Sequence, residues 1–220
     1  MDIGELVGAG RTADVFALDD GRVLRRYRDG ADATGEAAVM AYLAEQGFPV
    51  PAVWPGTAAG DLVMQRLSGM TMVEALVNGV ITAERAGRML AELLQRLHAV
   101  PARLSADPAH RVLHLDFHPE NVVLTPQGPV VIDWATSAEG PPGLDSAMAA
   151  LILAQAALTM PAVSEVARAV LRSLLRHLDG IEEEHLAEAR RRRAANPTLS
   201  PDEVGSLDEA VALITGTAGR

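Results

Sequence analysis

The sequence predicts an α+β chain in two parts: a small antiparallel-sheet N-terminal lobe with one helix over residues 1–67, and a helical C-terminal lobe over 68–220. Three observations predict it. Short apolar runs separated by turn residues crowd the first part, helical periodicity takes over from Met72, and one run, Ala147 to Val163, is apolar on nearly every side. A chain of 220 residues with 49% apolar content can bury the cores this layout needs.

The first candidate hairpin is Leu6 to Leu18, where Gly8-Ala9-Gly10-Arg11-Thr12-Ala13 forms a small-residue turn between apolar positions. Backbone N–H groups in such a turn can approach phosphate oxygens because no bulky side chain intervenes. Asp19-Asp20-Gly21 predicts the next turn, and Arg22 to Tyr27 the next strand. Strand alternation places Val23 and Arg25 on one face. Gly35 to Leu43 is a helix-forming run with Val39, Met40 and Leu43 at burial spacing, and Glu36 falls in its first turn, where the helix dipole favours an acid. Gly47-Phe48-Pro49-Val50-Pro51 ends it, and short strands are predicted around Val53-Trp54 and Asp61 to Met64.

Beyond the boundary, Ala83 to Ala99 puts Ala86, Met89, Leu90, Leu93, Leu94 and Leu97 on one face, the pattern of an amphipathic scaffold helix. Asp145 stands at the head of the apolar run and suits an N-cap. The run itself is broken by Gln155 and Thr159 and contains Pro161, so a buried core helix is expected rather than a membrane span. Ile181 to Ala195 carries Glu182-Glu183-Glu184 at one end and Arg190-Arg191-Arg192-Arg193 at the other, which predicts a solvated helix with charges matched to its dipole. Ser200-x-x-Glu203 and Ser206-x-x-Glu209 read as capping boxes.

Composition excludes several classes of function. A net charge of −10 and a pI of about 5.0 disfavour a nucleic-acid partner and suit cationic small molecules. With no cysteine, neither a disulfide framework nor a thiolate metal site is available. Met1-Asp2-Ile3-Gly4-Glu5 lacks the basic start and apolar core of a signal peptide, and a cytoplasmic location is expected. All nineteen basic residues are Arg.

The chemistry concentrates in His114-Leu115-Asp116-Phe117-His118-Pro119-Glu120-Asn121, followed twelve residues after the Asn by Asp133-Trp134. A carboxylate on a loop, here Asp116, can orient a hydroxyl and take its proton. Asn121 and Asp133 offer one carbonyl and one carboxylate oxygen, hard ligands that suit Mg²⁺ with room left for water and phosphate. Val122-Val123-Leu124 and Val130-Val131-Ile132, joined by Pro126-Gln127-Gly128, predict a hairpin between them. Loop, hairpin and metal Asp in that order make the layout of a phosphoryl-transfer site.

The pattern His-x-Asp-x-His-Pro-x-Asn resembles the catalytic loop of the aminoglycoside phosphotransferase and choline-kinase-like family, a branch of the protein-kinase-like fold. The resemblance implies a bilobal fold, ATP and Mg²⁺ as cofactors, and transfer of the γ-phosphoryl group to a hydroxyl of a small-molecule acceptor, for which a cationic compound is an option. It assigns Asp116 the catalytic role, with His118 ordering the loop, and Asn121 and Asp133 the metal. Gly8, Gly10 and Thr12 would line the phosphate turn, Val23 the adenine pocket, and Gln65 and Leu67 a hinge beside adenine. Arg25 stands where the family has a phosphate-binding Lys and would pair with Glu36. Asp145 would brace the catalytic loop. The chain departs from the pattern at Ala13, in place of a third Gly, and at Arg25, though in a chain without Lys the second exchange follows a general preference for Arg. The alternative is a nucleotide-binding or degenerate pseudokinase serving as a partner module; retention of Asp116 speaks against it. A kinase acting on protein fits the loop less well.

Overall fold

The computed structural model describes residues 3–10, 12–18 and 21–218. Arg11 and the Asp19-Asp20 half of the predicted turn lie outside them. In chain order the elements are β1 (Leu6–Ala9), β2 (Ala13–Ala17), β3 (Arg22–Tyr27), α1 (Thr34–Glu45), β4 (Val53–Trp54), β5 (Asp61–Gln65), β6 (Met70–Thr71), α2 (Met72–Val77), α3 (Ala83–Leu97) and β7 (Arg111–Leu113). A 3-10 turn (Pro119–Asn121) precedes β8 (Val122–Thr125), β9 (Gly128–Val131) and β10 (Ala138–Gly140). Then come α4 (Pro142–Thr159), α5 (Ser164–His177), α6 (Glu183–Ala194), α7 (Pro201–Gly205) and α8 (Leu207–Ala218). Contacts divide the chain into two compact units, Met1–Met70 with Val122–Ser137, and Thr71–Asn121 with Ala138–Arg220.

The first unit is an antiparallel five-stranded sheet, order β1-β2-β3-β5-β4, with α1 and the β8–β9 hairpin. The central strand β3 is paired on both edges, with Val23 opposite Ala17 and Met64 and Arg25 opposite Val15 and Leu62. Burial of Val23, Leu24 and Arg25 follows from that position. Met40 and Leu43 of α1 are buried as the helical spacing predicts, while Val39 is only partly covered.

The division departs from the predicted cut after residue 67. It falls after Met70, and residues 122–137 group with the strand-rich unit instead of with the helices around them in sequence. The reason is specific bonding. Val131 N–H donates to the Pro49 carbonyl at 2.9 Å, and the Trp134 ring meets Phe48 edge to face at 5.8 Å between centroids.

The second unit is helical around α4, which packs against α5, α6 and α8 and is buried without a break from Leu144 to Gln155. A helix apolar all round belongs in a core. It has the length and apolarity of a membrane span, but 72% of it is buried among the protein's own elements. The amphipathic α3 buries Ala86, Gly87, Leu90, Ala91, Leu93, Leu94 and Leu97 and packs mainly on α5; Met89 stays partly exposed. Thr82 caps α3 by accepting the Arg85 N–H, and Thr71 with Glu74 forms a capping box on α2. The Ser200 and Glu203 box is formed, whereas the Ser206 hydroxyl donates to the Glu203 carbonyl at the end of α7. Antiparallel pairing of β7 with β10 brackets the segment that carries the loop: β7 delivers the chain to His114, and β10 leads into α4.

Candidate active site

The predicted site residues fall into two groups, one in each unit. In the strand-rich unit, alternation along β3 points Arg25 and Tyr27 to the same side. Arg25 is 8% exposed, and its guanidinium forks between two carboxylates: Nη1 donates to Glu36 Oε1 at 2.5 Å and Nη2 to Asp133 Oδ1 at 2.8 Å. Glu36 collects two further donors, the Tyr27 hydroxyl at 2.6 Å and the Trp134 backbone N–H at 3.1 Å. Burial pushes the Glu36 carboxyl up, and Arg25, Tyr27 and the Trp134 N–H pull against it. Burial, then the Glu36 carboxylate, push the Tyr27 phenol far above its ordinary range, so it serves as a donor. Arg25 thus makes the predicted pair with Glu36 and a further one with Asp133.

Asp133 adopts a left-handed backbone, φ 64°. Asp tolerates that region better than most residues, and here it lies just past the end of β9. Its side chain is 41% exposed, and no described residue donates to Oδ2. A carboxylate with one oxygen anchored and the other open fits a hard cation.

The other nucleotide-side candidates have milder surroundings. Between β1 and β2, Gly10 N–H donates to the Ala13 carbonyl at 2.8 Å, and the register slips between Leu6 and Gly8. The Arg28 backbone N–H donates to the Thr12 carbonyl at 3.0 Å, and the Arg28 guanidinium reaches the Gly10 carbonyl and Asp14. The turn is therefore tied to the end of β3. Gln65 exchanges hydrogen bonds with the Ala52 backbone; its side chain is exposed and that of Leu67 partly so.

In the helical unit the loop is built downward onto Asp145. This side chain is fully buried, and its two oxygens accept the N–H groups of His114 at 2.9 Å and Leu115 at 2.8 Å, with His98 Nε2 at 3.3 Å. It is therefore not the N-cap of α4. Pro141 holds that position without a side-chain bond and Pro142 opens the helix, a residue that has no N–H to satisfy. Burial opposes ionisation of Asp145, but His98 and the loop N–H groups outweigh it and hold the carboxyl below its ordinary range. Leu115 is left-handed at φ 62°, a strained setting for a branched residue, and its N–H is one of the two that Asp145 holds.

Above this brace, His114 is fully buried against the Phe117 ring, and its Nδ1 accepts the Asp116 N–H at 3.2 Å. Asn121 turns its amide nitrogen onto the Asp116 carbonyl at 2.9 Å and carboxylate at 3.3 Å, which leaves its carbonyl oxygen as the ligand atom. His118 Nε2 lies 3.2 Å from that amide nitrogen and 3.5 Å from Asp116 Oδ2, and it accepts from the first or donates to the second according to its tautomer. Burial works against charge on Asp116, and His118, His114 and Arg193 more than offset it, so the carboxyl stays below its usual range. The loop thus presents an ionised carboxylate in an ordered frame.

Four participants were not anticipated as such. Tyr27 was readable from strand alternation, being two residues beyond Arg25. The Trp134 N–H and Gln155, whose amide oxygen accepts Arg193 Nε at 2.5 Å, carry only faint signals, the second as a polar residue in an apolar run. Arg193 carries none. It was expected on a solvated helix, yet α6 buries Leu186 and Ala189 and turns Arg193 inward, Nη1 3.7 Å from Asp116 Oδ1.

The sequence model of the phosphotransferase enzyme family (APH) matches residues 4–111 and 100–186. No curated protein sequence matches the chain. Among solved structures, a thermostable mutant of the aminoglycoside phosphotransferase APH(4)-Ia is 13% identical with a TM-score of 0.62, the alignment covering 100% of this chain and 96% of the other. A choline/ethanolamine kinase family protein from Mesorhizobium loti is 15% identical with a TM-score of 0.58, covering 100% and 92%. A streptomycin and ATP ternary complex of APH(2")-IIa is 14% identical with a TM-score of 0.56, covering 98% and 91%. At these identities the likeness establishes the fold, which is kinase-like.

Proposed function

The chain belongs to the phosphotransferase enzyme family, and from that premise we propose that it moves the γ-phosphoryl group of ATP to a hydroxyl of a small molecule. The observation that carries the proposal is Asp116: ionised, partly exposed, and fixed by His114, Asn121 and the Asp145 brace. In this role Asp116 accepts the hydrogen bond of the acceptor hydroxyl, aims its oxygen, and takes the proton as the bond to phosphorus forms. Asn121 and Asp133 have the donor atoms to hold Mg²⁺, which when bound supplies charge neutralisation at the phosphates. Arg25, kept in place by Glu36, contributes a permanent positive charge toward phosphate oxygens. The small-residue turn at Gly8, Gly10 and Thr12 would lie against the same group, its Gly10 N–H turned into the hairpin onto the Ala13 carbonyl, and Val23, Gln65 and Leu67 would border the adenine.

A second reading has one specific observation behind it. Arg25 occupies an oxygen of Asp133 at 2.8 Å, an arrangement that suits a nucleotide-binding pseudokinase acting as a partner module.

The test uses two variants. Asp116→Asn keeps shape and loses the proton acceptor, so transfer is expected to fall on the order of 10²- to 10⁴-fold while ATP binding stays near wild type. Asp133→Asn should instead weaken Mg²⁺-dependent nucleotide binding itself. ATP titrations with and without Mg²⁺, followed by turnover with a panel of amino sugars, amino alcohols and hydroxy acids, separate the two. Wild-type turnover by Asp116→Asn would falsify the catalytic assignment.

A further inference from the structure

Resting on the reading that Arg25 meets the phosphates of ATP, we propose that Tyr27 is a positioning residue for Arg25. Its hydroxyl holds the Glu36 carboxylate turned so that one oxygen alone faces the guanidinium, and Arg25 Nη2 stays directed at Asp133 and the phosphate side. Left to itself, a planar guanidinium meets a carboxylate through two parallel N–H bonds, one to each oxygen. Arg26, the next residue along β3, does this: its Nε and Nη2 donate to the two oxygens of Asp61 at 2.7 and 2.9 Å. Arg191 does the same with Glu188. Arg25 does not close on Glu36; its Nη1 goes to Glu36 Oε1 and its Nη2 to Asp133 Oδ1.

The difference lies in how the carboxylate is held. A hydroxyl donor does not by itself exclude the closed fork, since the Asp61 oxygen that meets Arg26 Nη2 also accepts the Thr57 hydroxyl at 3.0 Å. Glu36 is pinned at both ends. Oε1 accepts the Trp134 N–H at 3.1 Å as well as Arg25, and Oε2 accepts the Tyr27 hydroxyl at 2.6 Å. Tyr27 stands two residues beyond Arg25 on the same strand, roughly 6.6 Å along it, so Oε2 is drawn along β3 toward Tyr27 and away from the fork. The Tyr27 ring holds the other partner, with the Arg25 guanidinium carbon 5.0 Å from its centroid. The Glu36 side chain is 4% exposed, and a buried carboxylate oxygen deprived of its donor is costly. Without the hydroxyl, Arg25 Nη2 is the donor placed to replace it, because its fork already holds the other oxygen. Taking it would withdraw Nη2 from Asp133.

The test is Tyr27→Phe, which keeps the ring and removes only the hydroxyl of a half-buried residue. The first arm is a crystal structure of this variant without nucleotide. Arg25 is expected to close on both oxygens of Glu36, with Nη2 gone from Asp133. A fork still split between the two carboxylates overturns the proposal, whatever takes the freed oxygen. The second arm is a double-mutant cycle read by ATP titration without Mg²⁺, where contacts between protein and phosphate carry the binding. Tyr27→Phe is expected to weaken ATP by about threefold or more in the chain with Arg25, and by less than about twofold in Arg25→Lys, since an ammonium has no fork to close. A purely structural tyrosine would give equal losses in both backgrounds, and that result overturns the proposal. A wild type that binds no ATP refutes the phosphotransfer reading instead, and the fork in the Tyr27→Phe crystal then decides the part of Tyr27 by itself.

Discussion

Replacing Asp145 by Asn changes one atom and is expected to loosen the whole catalytic loop. The carboxylate accepts two backbone N–H bonds, from His114 and Leu115, and lies beside His98, fully buried. An Asn offers one carbonyl oxygen and turns an amide nitrogen toward the second N–H. One buried donor then loses its partner, at about 1–3 kcal/mol, and the remaining bond loses its charge assistance, roughly 1 kcal/mol more. The sum is about 2–4 kcal/mol of unfolding free energy, measured by urea denaturation at neutral pH. Leu115 adds a second consequence. Its left-handed backbone is held through the N–H that Asp145 accepts, so the loop is expected to relax and transfer to fall even where the variant remains folded. Hydrogen exchange of the His114 and Leu115 amides reads the brace directly. A loss of less than about 0.5 kcal/mol with those amides still protected would refute the reasoning, because that is the size of an ordinary surface substitution.

Three further outcomes follow from the same geometry. Asp145 and Asp116 have carboxyls held below their ordinary range, so each contributes stability that is complete above about pH 5 and is lost as pH falls through its folded value. The difference between wild type and Asp145→Asn in urea midpoints should therefore shrink on acidification, and a difference that grows below about pH 4 would contradict the assignment. Arg25→Ala leaves the buried Glu36 without its cation and is expected to cost about 3–5 kcal/mol in stability and about tenfold or more in ATP affinity, with Arg25→Lys recovering part of the affinity. Calorimetric titration of ATP and Mg²⁺ checks this, and unchanged affinity in Arg25→Ala would leave the side chain a purely structural role. Gly87→Ala would set a Cβ 2.4 Å from Ser173 Cβ and 2.6 Å from the Val170 carbonyl where α3 meets α5. The overpacking, about 1–3 kcal/mol, should outweigh the gain of about 1 kcal/mol in helix propensity, and a raised urea midpoint would disprove it.

Where physics is local, the chain was legible without coordinates. Two-residue alternation in β3 placed Val23 and Arg25 on one face, helical spacing placed Leu90, Leu94 and Leu97 in a core, and an apolar run marked α4 as buried, because side-chain direction follows from backbone period. The loop from His114 to Asn121 and Asp133 were legible because residue types and spacing within one stretch specify what the loop can do. Partners that lie far apart in sequence were decided only by the tertiary structure. Asp145 suited an N-cap equally well until β7 brought two loop N–H groups above it. Arg193 suited a solvated helix until Gln155, held by the Glu203 carbonyl, drew it inward. Residues 122–137 suited the helical part until Pro49 and Phe48 took up Val131 and Trp134. In each case the sequence leaves two ways of satisfying the same polar or apolar group. Only the packing directions of whole elements, which no local period encodes, choose between them.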